Sequence, residues 1–312
     1  MNTEHPREPE TVEFDLPHLA MTALAWGAPG GRLALCLHGF PDTAWTWRHL
    51  GPALADRGFR VIAPFTRGYA PTAVPADGDY HLGALAYDAL ALYRALGNPA
   101  DAVLIGHDWG ALTANTIAAL PDCPFRQVVS LAVPPVPAMR PRPATARRSA
   151  GAYLRQLRYS WYILFNQLPG IAERSLDRLI PRLWHDWSPG YPAAEDIAHT
   201  LAALPTGAHR TAALSYYRAF LRPAKVPEPY AGPHRYWDQA PRVPMLYLHG
   251  SADTTMHPVF AARVGEVLAP AGGVSETVTD AGHFLHLERP GEVAGRIGLF
   301  LTGERPGSHP MN

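Results

Sequence analysis

Short, continuous apolar runs alternate with helical stretches at both ends of this chain, and that rhythm leaves few folds open to it. Arg32–Leu37 (RLALCL), Arg60–Pro64 (RVIAP) and Ala102–Gly106 (AVLIG) are apolar throughout most of their length, as strands buried on both faces of a parallel sheet are. Helical spacing follows them over Trp47–Arg57, Leu82–Leu96 and Ala111–Leu120. Thr11–Leu16 and Leu19–Trp26 read as a leading hairpin, and Gln127–Val133 as a further strand. The rhythm resumes with strands over Met245–His249 and Val274–Val278 and helices over His257–Leu268 and Glu292–Leu301. The expected fold is α/β: a mostly parallel eight-stranded sheet with helices on both faces.

Between the two blocks the rhythm stops. From Pro134 to Gln239 no buried strand is evident. Helical stretches over Arg148–Phe165, Ile171–Trp187, Ala193–Leu204 and Ala208–Leu221 are separated by Pro and Gly instead. This predicts a core of residues 1–134 and 240–312 with an all-helical cap, 135–239, inserted into it. Arg140, Arg142, Arg147 and Arg148 cluster at the start of the insertion and read as a solvated linker. The tail from Gly303 to Asn312 is expected to be disordered.

Composition excludes several classes. With 27 basic and 27 acidic residues the chain has no net charge, so it lacks the footprint of a nucleic-acid binder. At 47% hydrophobic and 17% charged residues it is not a disordered chain. No apolar run approaches the ~18 residues of a membrane span, and Met1–Glu10 carries no secretory pattern, so a cytoplasmic protein without a membrane partner is expected. Cys36 and Cys123 are too few for a disulfide scaffold or a four-cysteine metal site and read as packing residues.

The chemistry concentrates at strand ends. Gly106-His107-Asp108-Trp109-Gly110 follows an apolar strand and opens a helix, the spacing of a sharp turn that lifts its central side chain into the open. That side chain is Asp108. A carboxylate with an ordinary pKa of about 3.9 is ionised at neutral pH and needs no base before it attacks. Attack on an acyl carbon would give a labile anhydride, whereas attack on a saturated carbon gives a stable ester. The substrate should therefore carry an electrophilic sp3 carbon. Asp253, in Gly250–Asp253, and His283, in Ala281–Phe284, follow two later strands. The order nucleophile, acid, histidine is that of the α/β-hydrolase fold. Asp253 would orient His283, and His283 would activate water. The loop His38-Gly39-Phe40-Pro41 ends an earlier strand, and the backbone N–H groups of Phe40 and Trp109 are the expected oxyanion donors. Phe40, Trp109 and Phe284 are expected to line an apolar pocket. His107, beside the nucleophile, is expected to point into the sheet; His249, His257 and His286 acquire no role.

Together, HGFP (His38–Pro41), RGY (Arg67–Tyr69), GHDWGA (Gly106–Ala111) and the Asp253 and His283 loops resemble the soluble epoxide hydrolase branch of the α/β-hydrolases, over Phe14 to Leu301. The resemblance implies two cap tyrosines that bind the epoxide oxygen. Tyr162 matches the one lying before a Gln-x-Pro-Gly segment (Gln167–Gly170), and Tyr217 the one in an aromatic-Tyr-Arg segment (Tyr216–Arg218). It implies a cofactor-free, metal-free enzyme acting on a neutral, mainly apolar epoxide and water. Self-association as a homodimer stays open. Two departures mark a divergent subgroup. Ala63-Pro64-Phe65-Thr66 precedes Arg67 where the family often carries an Asp, and Ala70 follows Tyr69 where Gly is common. A haloalkane dehalogenase with the same Asp nucleophile is the nearest alternative, disfavoured by HGFP and by the tyrosine pair. A catalytically silent ligand receptor on the same fold is a more distant one, disfavoured by the complete triad.

Overall fold

A computed structural model describes residues 8–140, 146–222 and 225–303. Arg142 of the basic cluster and the tail beyond Gly303 lie outside them. The strands are β1 (Glu10–Leu16), β2 (Leu19–Trp26), β3 (Arg32–Leu37), β4 (Phe59–Pro64), β5 (Val103–His107), β6 (Gln127–Leu131), β7 (Met245–Gly250) and β8 (Val274–Val278). They form one sheet in the order β1-β2-β4-β3-β5-β6-β7-β8. The β1–β2 and β2–β4 pairs are antiparallel, and every later pair is parallel. The central strands β3, β5 and β7 are almost wholly buried, which accounts for their lack of polar alternation.

The helices are α1 (Leu50–Ala55), α2 (Leu82–Ala95), α3 (Trp109–Ala118), α4 (Val136–Met139), α5 (Ala146–Tyr159), α6 (Trp161–Phe165), α7 (Ile171–Trp187), α8 (Ala194–Ala202), α9 (Gly207–Leu221), α10 (Ala231–His234), α11 (Val264–Leu268), α12 (Leu285–Glu288) and α13 (Pro290–Thr302). Three expected helices are divided. Trp47–Arg57 is a 3-10 turn over Ala44–Trp47, capped by the Thr43 side chain, followed by α1. Arg148–Phe165 breaks at Ser160 into α5 and α6. His257–Leu268 begins as a 3-10 turn over Pro258–Arg263 before α11. The short α4 and α10 carry too few residues for periodicity to show, and they pack on the core elements α11 and α2.

Helices α4 to α10 all fall between β6 and β7, which are neighbours in the sheet. Among the described residues no strand lies in that interval. Several bonds join these helices to the loops at the strand ends. Trp184 Nε1 and Thr200 Oγ1 both donate to the Pro41 carbonyl, at 2.9 and 3.1 Å. The amide of His283 donates to Trp187 O at 3.0 Å, and Tyr216 Oη donates to Arg67 O at 2.8 Å. The Trp184 ring lies flat on Phe284, with centroids 3.5 Å apart. Arg67 is wholly buried and donates to both oxygens of Asp88 at 2.6 Å, a bidentate pair that anchors the RGY turn.

Candidate active site

Asp108 sits between β5 and α3 with φ 51° and ψ −114°, a conformation costly for a residue with a Cβ. The chain can make this turn only with glycine beside it. A Cβ at Gly110 would lie 2.0 Å from the Leu37 carbonyl oxygen. A Cβ at Gly39 would lie 2.5 Å from Asp108 Oδ1 and 2.7 Å from the Trp109 nitrogen. The absence of these side chains lets the β3 loop close over the carboxylate. That loop is held by His38, whose ring accepts from the Thr66 amide at 3.0 Å and bonds the Gly39 carbonyl at 2.9 Å.

The two oxygens of Asp108 face different partners. Oδ1 accepts from the Phe40 amide at 2.9 Å, and Oδ2 lies 3.5 Å from His283 Nε2. The second separation is long for a hydrogen bond but suits an ion pair. On the other side of the ring, His283 Nδ1 and Asp253 Oδ2 are 3.0 Å apart. Asp253 Oδ1 accepts from the Thr255 and Met256 amides at 2.7 and 3.1 Å, so its carboxylate is fixed by backbone donors as well. Burial alone would lower the His283 pKa. The Asp253 and Asp108 carboxylates outweigh it and raise the pKa to about 10. Burial also opposes ionisation of Asp253, but His283 holds that carboxyl below its ordinary value.

Tyr162 and Tyr217 are buried above Asp108, their rings edge to face with centroids 5.5 Å apart. Tyr217 is also edge-on to Phe40 and Trp109, at 5.3 and 5.1 Å. Its hydroxyl is buried and, among the described residues, has no hydrogen-bond partner. Burial, with the Asp108 charge adding to it, pushes both phenols above their ordinary pKa, so both stay protonated and able to donate.

A cavity of about 220 Å³ reaches Asp108 and both tyrosines, and its other walls, among them Leu112, Val133, Ile163 and Phe220, are mostly apolar. Trp109 lines it as expected. Phe40 and Phe284 do not. Phe40 is wholly buried behind Tyr217, and the Phe284 ring is taken up by Trp184. Alternation along the chain cannot distinguish a residue facing the cavity from one packed just behind it. Trp187, which had no place in the sequence reading, sits edge-on to both Tyr162 and His283, at 4.9 and 5.1 Å. Trp237 lines a second, smaller cleft on the other side of Trp109 and Phe220.

Behind His283 lies a polar layer that sequence spacing did not reveal. His107, wholly buried, places Nε2 3.0 Å from the His283 carbonyl and packs its ring on His283 and His286. Polar atoms of Asp42, His107 and His286 lie within 4.8 Å of one another. Burial pushes the Asp42 carboxyl up to about 8, takes His107 down to about 3 and lowers His286 further below its ordinary value. These shifts favour the neutral form of all three, and Asp253 is the carboxylate that His283 meets on this side. The chain separation of Asp42 from the two histidines is too large for a motif to show them together.

Residues 35–290 match the α/β hydrolase fold family. The chain is similar to epoxide hydrolase A of Mycobacterium tuberculosis, with 33% identity covering 89% of this chain and 92% of that one. It is similar to an epoxide hydrolase of Caballeronia sordidicola, with 29% identity over 93% of each. Its structure is similar to that of epoxide hydrolase A from Mycobacterium thermoresistibile, with a TM-score of 0.73 and 28% identity, covering 95% of this chain and 98% of that one.

Proposed function

The chain belongs to the α/β-hydrolase fold family and, within it, to the epoxide hydrolases, and from that premise we propose that it opens a small-molecule epoxide to a vicinal diol through a covalent ester on Asp108. The observation that carries this reading is the pair of buried phenols facing a carboxylate whose Oδ1 is already held by the Phe40 amide. Oδ2 is then the attacking atom. It bonds a ring carbon as the C–O bond of the oxirane breaks, and Tyr162 and Tyr217 donate to the developing alkoxide. The substrate is neutral and mainly apolar, in keeping with the cavity walls. Residues 1–134 and 240–312 serve as the hydrolase core and 135–239 as the cap. The enzyme works in the cytoplasm without a metal or cofactor.

The charge state of His283 supports the order of steps. At rest it is an imidazolium between two carboxylates and cannot take a proton. Alkylation turns Asp108 into a neutral ester and removes one of the charges that raise the His283 pKa. The imidazolium proton passes to the alkoxide, and the neutral ring becomes a base. His283 then takes a proton from water as the water oxygen bonds the ester carbon. The Phe40 and Trp109 amides hold the tetrahedral oxyanion. Collapse releases the diol, restores the carboxylate and leaves His283 protonated as before. It follows that Asp108→Asn lowers the His283 pKa from about 10, measured by the pH titration of its ring protons in NMR. An unchanged titration would show that Asp108 does not control the histidine.

The reading is tested by supplying a panel of aryl and alkyl epoxides and, separately, chloro- and bromoalkanes. Diol formation from the epoxides with no halide release is the expected result. Halide release without ring opening overturns it in favour of a dehalogenase.

A further inference from the structure

Every exposed large apolar residue among the described ones, except Val274, lies between Leu154 and Leu221. The most exposed are Leu154 at 68%, Leu157 at 70% and Leu164 at 69%; Trp161 beside them is the least exposed of the set. Leu154 and Leu157 lie three residues apart on α5, and Trp161 and Leu164 three residues apart on α6, so each pair shares a face of its own helix. Gln167, just past α6, is tied to the end of α9: its Nε2 donates to Tyr217 O at 3.1 Å, and Arg222 donates to its carbonyl at 3.2 Å. Phe220 and Leu221 are exposed at that end of α9. A contiguous apolar patch of this kind marks an interaction surface.

The charge of the same segment is one-sided. No Asp or Glu occurs between Asp122 and Glu173 in a chain that is neutral as a whole. Arg140, Arg142, Arg147, Arg148, Arg155 and Arg158 all fall in that interval. Arg155 and Arg158 are exposed on α5 beside the leucines, while Arg140 is paired with Asp238. Read from sequence, the cluster is a solvated linker. Beside the exposed leucines, Arg155 and Arg158 make this face amphipathic.

We propose that this face of the cap docks on an anionic lipid bilayer, lying in the interface without crossing it. Leucine and tryptophan on one face with arginine around them is the composition that binds such an interface. A second copy of the chain fits less well, since two faces of the same positive charge would be brought together. No helix of the described residues is long and apolar enough to cross a membrane, which this mode does not require. The cavity lies behind these helices: Gln156, Ser160 and Ile163, turned away from the exposed leucines, and the 45% exposed Phe220 are in its wall. The docking does not rest on the function proposed above, and vesicle binding is measured without turnover.

Co-sedimentation of the full chain is the test. Binding is expected to vesicles of equal parts phosphatidylcholine and phosphatidylglycerol, to weaken as salt rises, and to be far lower with phosphatidylcholine alone. Arg155→Glu with Arg158→Glu should weaken it about tenfold or more. Leu154→Ser, Leu157→Ser and Leu164→Ser together should do the same. Neither variant should change hydrolysis of a small water-soluble epoxide in free solution, which reports an intact fold. Equal binding to both vesicle types, or none to either, overturns the proposal. So does a dimer in light scattering that the leucine variant splits into monomers, because a second copy then covers this face.

Discussion

Exposed to excess epoxide, the His283→Gln variant is expected to gain the mass of one substrate molecule, carried on the peptide that contains Asp108. Asp108→Ala gains none and loses turnover by about four orders of magnitude or more. The two outcomes follow from the separate partners of the two carboxylates. Asp108 Oδ1 is held by the Phe40 amide without help from His283, so attack through Oδ2 survives loss of the ring. Gln cannot take a proton from water, so the ester persists. The substitution removes a cation from between two buried carboxylates, which is costly where no other donor remains. Asp253 keeps the Thr255 and Met256 amides, and a Gln amide can replace one imidazole N–H. An intact, unmodified variant after exposure to substrate would rule Asp108 out as the nucleophile.

Loss of both phenols is the second large effect. Tyr162→Phe or Tyr217→Phe alone should slow turnover by about tenfold to a hundredfold, because the other hydroxyl still donates to the alkoxide. The double variant should lose about a thousandfold or more, since no donor then faces the leaving oxygen. The Tyr217 hydroxyl has no partner among the described residues, so its removal breaks no hydrogen bond and leaves thermal stability nearly unchanged. Single-turnover rates of ester formation locate the loss in the first chemical step. A double variant that keeps nearly full activity toward epoxides would overturn the assignment and would suit a halide leaving group instead.

The strands and the triad could be read from sequence because each depends on local constraints. β2, β3 and β8 and helix α7 have the limits that their residue patterns predict. In a sheet buried on both faces, an apolar run is itself the strand. The triad residues lie just past strand ends, where a parallel sheet opens, so placing the strands placed Asp108, Asp253 and His283 together. The tyrosines had no such local signal. They were found through resemblance, and the cap geometry that brings Tyr162 to 5.5 Å from Tyr217 depends on the packing of α6 on α9.

What the amino-acid order determined by itself is the sheet, the all-helical interruption between its two blocks, and an aspartate at the turn, the proposed attacking group. These follow from hydrophobic period, from glycine at the turn and from the intrinsic pKa of a carboxyl group. Tertiary structure alone decided that Phe284 packs on Trp184 instead of facing the cavity and that Asp42 joins His107 and His286 behind the catalytic ring. It also decided that two carboxylates flank His283 and raise its pKa, and that the α5–α6 leucines face outward. Each of these depends on which distant side chain fills the adjoining space, and on the low dielectric that such packing creates around a charge.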